Sequence, residues 1–205
     1  MTARWWDWAL LASRDEHNVN CLYAMTILGI DPGSRATGYG LVDTSGSDDQ
    51  SEDFGTVRLD GDTPHTERLK EIYDAVTALI AEYDPAEMAI EMPVYGENPQ
   101  SMLKLGRAQA AAMLAALNAG VSVAQYTPKE IKKSVTGNGN ASKTQVRFMI
   151  RSILSLPKNA DGLTHDAADA LAAALCHSNR DAHGSTESYT GWDSFVANNP
   201  DRISE

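Results

Sequence analysis

The stretch "ILGIDPGSRATGYGLVD", residues 27–43, decides how the rest of the chain is read. Residues 26–31 are mostly apolar and β-branched and too short for a helix, so they read as a strand. "GSRATG" is a turn, and Tyr39 to Asp43 reads as the return strand of a hairpin. The puzzle is Asp31, which follows Ile30 directly and is followed by Pro32 and Gly33. A buried ionised carboxylate costs several kcal/mol or more unless something compensates it. Asp31 therefore either escapes to solvent in the turn or has a cation to hold.

Working outward, "TSGSDDQSED" reads as a polar loop, and Phe54 to Leu59 as a third antiparallel strand. A helix follows, with Thr63 as N-cap and Pro64 as its first residue. Leu69, Ile72, Tyr73, Val76, Leu79, Ile80 and Tyr83 keep its 3.6-residue period. Met88 to Glu91 reads as a buried strand. Asn98 and Pro99 start a second helix that Gly120 closes, and Gly106 inside it suggests a close backbone approach. Val121 to Tyr126 is another strand. Helical pieces run from Pro128 to Val135 and onward from Ser142, where Ser142 and Gln145 form a capping box. A last helix spans about His165 to His177. A hairpin-led set of strands followed by helix crossovers predicts an α/β fold with a mixed five-stranded sheet flanked by helices.

The chain has 205 residues, 42% hydrophobic and 22% charged, which suits one domain with a real core and spare length at its ends. Residues 1–24 read as an N-terminal extension, poorly ordered or from a misassigned start. Residues 25–180 read as the domain, and 181–205 as an acidic tail in which Tyr189, Trp192 and Phe195 suggest a short docked helix. Cys21 and Cys176 offer neither a disulfide framework nor a metal motif, so the cytoplasm is the expected compartment. No apolar run is long enough for a membrane helix.

The net charge of −11 argues against a nucleic-acid partner, but its distribution argues for one. Residues 104–158 carry nine basic side chains and one acid, Glu130, for a charge of +8, leaving −19 for the remainder. A basic segment in an acidic chain is a footprint for a polyanion.

Glu91 repeats the puzzle of Asp31, an acid directly after apolar residues. Asp166 and Asp169, in "HDAADALAAAL", are three apart and share a helix face in its first turn. If these four acids converge, repulsion raises some of their pKa values or demands cations. Hard oxygen ligands suit Mg²⁺ or Mn²⁺, and a pair of such ions suits phosphodiester cleavage. Taken singly, each acid is more often an ordinary turn, strand-end or helix-start residue.

"ILGIDPGSRATGYGLVD", "AIEMP", "SMLKLGRAQAAAM", "KEIKKSVTGNGNASKTQV" and "HDAADALAAAL" together resemble the RuvC family of Holliday-junction resolvases, collinearly from about residue 25 to 179. The resemblance implies a ribonuclease H-like fold and a homodimer that nicks two opposed strands of a four-way DNA junction. It implies two Mg²⁺ ions per site, with Mn²⁺ as a substitute, and products with 5′-phosphate and 3′-hydroxyl ends. Asp31, Glu91, Asp166 and Asp169 match the family's metal-binding acids, and Lys132 and Lys143 its two functional lysines. Lys104, Arg107 and Lys133 join those lysines as expected DNA contacts. The family's stacking aromatic falls on Val94 here, and Tyr95 is the expected substitute. A RuvA/RuvB-type branch-migration complex is the implied protein partner.

Rival readings remain open from sequence. An actin-like ATPase or sugar kinase also begins with a "GIDxG" hairpin but needs a second copy, which is not present. Another ribonuclease H-like nuclease, acting on RNA or on other branched DNA, shares the metal site. A catalytically silent junction-binding protein is disfavoured by the presence of all four acids.

Overall fold

The computed structural model describes residues 25–93, 98–157, 160 and 162–182. The expected extension before Met25, Tyr95 with its neighbour Val94, and the aromatic tail beyond Ala182 lie outside these residues. Five strands, β1 (Thr26–Asp31), β2 (Ala36–Asp43), β3 (Gln50–Arg58), β4 (Glu87–Glu91) and β5 (Ser122–Tyr126), form one sheet in the order β3-β2-β1-β4-β5. The first three run antiparallel, and β4 and β5 run parallel to β1. The mixed five-stranded sheet expected from sequence is therefore present, with the strand carrying Asp31 at its centre.

Helices cover both faces. On one face α1 (His65–Tyr83) and α2 (Pro99–Asn118) pack over Leu28, Ile30, Leu41, Met88 and Ile90. On the other, α3 (Pro128–Thr136), α4 (Lys143–Ile153) and α5 (His165–Ala182) cover Ile27, Val42, Ala89 and Tyr126. Side chains alternate across a strand. Ile27, Gly29 and Asp31 thus share the α5 face of β1, and Glu87, Ala89 and Glu91 share that same face of β4.

α5 lies unusually near the sheet because its contact residues are small on both sides. Ala167, Ala170 and Ala174 are fully buried. A Cβ added at Gly29 would stand 2.0 Å from the Ala170 carbonyl oxygen, and one at Gly38 would stand 2.0 Å from that of Asp166. Only glycine permits that approach.

Three local expectations need correction. β3 starts at Gln50, inside the segment read as loop, because the polar residues 50–53 continue the edge pairing across an irregularity between Leu41 and Val42. Thr63 does not cap α1. Pro64 occupies the cap position without a side-chain hydrogen bond, and its carbonyl accepts from the N–H groups of Glu67 and Arg68. Gly106 has open space around it, with no heavy atom within 4 Å of an added Cβ, so it marks no close approach. The capping box at Ser142 and Gln145 is present, and a second joins Thr127 and Glu130 at the start of α3.

Replacing Gly29 by Ala forces α5 off β1. The expected result is a melting temperature lower by several degrees and, because a misplacement of about 1 Å costs on the order of 100-fold in rate, the nicking activity implied by the resemblance reduced by about that factor. Thermal melts beside a nicking assay test this, and an unchanged variant would show that the helix–sheet distance does not matter.

Candidate active site

The pairing of β1 with β4 is what makes a site. Ile30 is in register with Ile90, so the next residues, Asp31 and Glu91, end neighbouring parallel strands on the same face. Neighbouring strands are about 5 Å apart. The chain therefore holds two carboxylates side by side at the carboxyl end of the sheet. α5 brings Asp169 over them, and the first turn of α4 brings Lys143. The Lys143 Nζ donates to Asp169 Oδ2 at 2.8 Å.

Asp31, Glu91, Asp169, Lys132 and Lys143 line one cavity of about 220 Å³, walled by Ile131 and Val146. Asp31 and Glu91 also form one side of a smaller cavity of about 170 Å³ beside Met92 and Leu105. Asp166 is not in either. It lines a separate cavity with Arg35, Arg58 and His165, although its charge still acts on Asp31. Lys104 and Arg107 stand exposed on α2, and Lys133 is exposed on α3, outside the carboxylate cavity.

The electrostatics show a site short of positive charge. Burial, then the charge of Asp169, then that of Asp166 push the Asp31 carboxyl up to about 7, against the opposing pull of Lys143. Burial, then Asp31 and Asp169, push Glu91 up to about 8, with Lys143 and Lys132 opposing. The Lys143 ammonium is held above its usual range, chiefly by its hydrogen bond to Asp169. The donor set is oxygen only and anionic, the chemistry a hard divalent cation requires. In this conformation no three His, Cys, Asp or Glu side chains among the described residues stand close enough to share one ion. Asp169 is instead paired with Lys143.

Two positioning residues escaped the sequence reading. Arg68 is buried on the core stripe of α1, one turn before Ile72, and its Nη1 donates to the Ser34 carbonyl at 2.7 Å. It pins the β1–β2 turn that follows Asp31. The signal was available, since an arginine sits where the period demands an apolar residue. Thr164 precedes α5, accepts from the Ala167 N–H at 3.1 Å, and shares a 2.6 Å hydroxyl hydrogen bond with Thr56 of β3. It ties the helix start carrying Asp166 and Asp169 to the sheet, and a Thr just before a helix is itself a cap signal.

Comparison with known proteins agrees with the geometry. The family model described as "Crossover junction endodeoxyribonuclease RuvC" matches residues 27–177. A protein of that same description from Salinibacter ruber is 66% identical over 181 residues, covering 88% of this chain and 100% of the relative. The solved structure of Thermus thermophilus RuvC superposes with a TM-score of 0.70 at 33% identity, covering 78% of this chain and 97% of the other. T. thermophilus RuvC in complex with Holliday junction substrate gives 0.69 at 29% identity, covering 78% and 96%.

The carboxyl shifts fix a pH dependence of stability. Without a cation, the folded state keeps protons on Asp31 and Glu91 that the unfolded chain releases near its ordinary carboxylate range. Their contribution is thus most favourable below about pH 4 and is lost as pH rises to about 7–8. In chelator, Asp31→Asn is expected to melt several degrees above the parent at about pH 8 and to converge with it at about pH 4. Added Mg²⁺ is expected to raise the parent's melting temperature more than the variant's. A parent-minus-variant difference independent of pH would refute the assignment of these shifts.

Proposed function

This chain belongs to the RuvC family, the crossover junction endodeoxyribonucleases, and on that premise we propose that it resolves four-way DNA junctions by paired hydrolytic nicks. The observation that carries the proposal is the set of uncompensated carboxylates at adjoining strand ends, with two lysines on the same cavity wall. Asp31, Glu91 and Asp169 would hold the divalent ions, with Asp166 assisting from the adjoining side. When bound, Mg²⁺ supplies Lewis acidity, activating water as a nucleophile and stabilising the leaving 3′ oxygen.

The remaining work falls to the chain's own residues. Asp31 and Glu91 give up their protons on loading, so metal affinity rises with pH. Lys143, released from Asp169, and Lys132 bind non-bridging oxygens of the scissile phosphate and offset charge that grows in the transition state. Hydrolysis in this sense leaves a 5′-phosphate and a 3′-hydroxyl, ends that a ligase can rejoin. Lys104, Arg107 and Lys133, exposed beyond the cavity, extend the phosphate contacts along the junction arms.

Paired nicks need two sites, and α2 supports a homodimer. Leu103, Leu114 and Leu117 are each more than half exposed, at 57%, 54% and 55%. With Ala110 they follow helical spacing along one outward face of α2, the pattern of a face that another helix covers. A second copy presenting the same stripe makes a two-fold interface, matching the near two-fold symmetry of the junction. Family membership alone supports docking with a RuvA/RuvB-type branch-migration complex and work in the cytoplasm. No described helix is long and apolar enough to cross a membrane.

A synthetic four-way junction with Mg²⁺ is expected to receive symmetric nicks while a linear duplex of the same arms stays intact. Asp31→Asn abolishes nicking, and Lys143→Ala slows it by roughly 100-fold or more. Equal cutting of duplex or RNA turns the assignment to a broader nuclease, and binding without nicking turns it to a silent binder. Leu114→Glu is expected to give a monomer by light scattering and to lose the pairing of nicks. A dimeric Leu114→Glu protein would move the interface elsewhere.

A further inference from the structure

The first turn of α4 is a shared wall. Lys143 and Val146 line the carboxylate cavity, while their neighbours Thr144 and Gln145 line a second, larger cavity of about 580 Å³. Its other walls are Thr136, Asn138, Phe148 and Met149. The volume lies in the range of small-ligand sites, about 300–1,000 Å³.

Phe148 is the unusual member. α4 buries Val146 and Ile150, which leaves Phe148, about 200° around the helix from each, facing outward. It is 70% exposed, more than any other large hydrophobic side chain among the described residues. A phenylalanine in that position does nothing for the core.

Arg147 and Arg151 flank Phe148 along α4, and Lys133 is exposed on the neighbouring α3, while Lys143 and Lys132 belong to the carboxylate cavity. Among the described residues, Arg147, Arg151 and Lys133 have no carboxylate partner. The cavity also offers directional polar groups. The Gln145 Oε1 accepts from the Ser142 N–H, and the Asn138 Oδ1 accepts from the Asn140 N–H. Each amide's NH₂ group is left to donate.

An aromatic face and two amide donors, with two arginines beside the ring on the same helix, describe a receptor for a base on a phosphate backbone. We infer that this cavity receives an unstacked base of the cleaved DNA strand, with Phe148 as the ring on which it stacks. The inference rests on the junction-nuclease reading and adds a base subsite to it. The shared wall sets the distance. A helix is about 10–12 Å across, the axial length of about three stacked nucleotides. The base therefore lies within about three nucleotides of the scissile phosphate, and the cavity fixes where along the strand the cut falls.

The test uses junctions carrying 2-aminopurine at successive positions around the nick, bound by the full-length protein with Ca²⁺ in place of Mg²⁺. Wild-type protein is expected to change the fluorescence at one position within about three nucleotides of the cut. Phe148→Ala loses that change, binds the junction about tenfold more weakly, and spreads its nicks over neighbouring positions under Mg²⁺. Phe148→Tyr restores all three, and thermal melts confirm that both variants fold. If Phe148→Ala matches the parent in fluorescence, affinity and nick position, the base subsite is wrong and the cavity is left for a protein partner. If the parent itself neither binds nor nicks junctions, the resolvase reading fails first and takes the subsite with it.

Discussion

Everything at the site depends on how near α5 lies to the sheet. Asp31 and Glu91 are placed by strand register, which fixes them relative to each other but gives them no third carboxylate. Asp169 arrives only because α5 meets β1 and β2 through alanine and glycine, with carbonyl oxygens where any larger residue would put a Cβ. A conventional helix–sheet contact through Leu and Val would carry Asp169 several ångströms away. The composition of "HDAADALAAAL" is thus a distance setting as much as a helix signal.

Leu171 and Leu175 add buried side-chain packing to that contact, and polar groups hold the helix along its axis. It has an anchor at each end. Thr164 holds the start to β3 through Thr56. Near the other end, His177 Nδ1 shares a 2.6 Å hydrogen bond with the Tyr126 hydroxyl, and His177 Nε2 pairs with Glu87. Tyr126 and Glu87 belong to β5 and β4, the strands beside Asp31 and Glu91. Tyr126 is itself in register with Glu91, so this network joins the second half of α5 to the strand beside that carboxylate. A buried network of this kind is costly if half satisfied and rigid when complete.

Much of this was legible in sequence, for a reason that also explains the misses. Asp31 and Glu91 stood out because an acid after an apolar run violates the ordinary pattern, and local violations collect at functional sites. Arg68 violates its stripe in the same way, and Phe148 violates the outward face of α4, yet both require a helical wheel to be seen. The start of β3 was hidden because an edge strand with polar residues breaks no rule of a loop. Gly106 misled for the converse reason, since an isolated glycine in a helix is compatible with either close packing or none. The separation of Asp166 from the carboxylate cavity needs the rotation of α5 about its axis, which spacing alone does not provide.

The charge pattern links stability to chemistry. Two carboxyls pushed up to about 7 and about 8 are a standing cost to the cation-free fold near neutral pH. Burial chiefly, and repulsion after it, set that cost, and a divalent cation would relieve it. Lys143 moderates it meanwhile, paired with Asp169 at 2.8 Å. Lys143 is 61% exposed while Asp169 is only 15% exposed. Lys143 opens α4, the helix that also carries Phe148, so the ion pair with Asp169 and the exposed ring belong to one element.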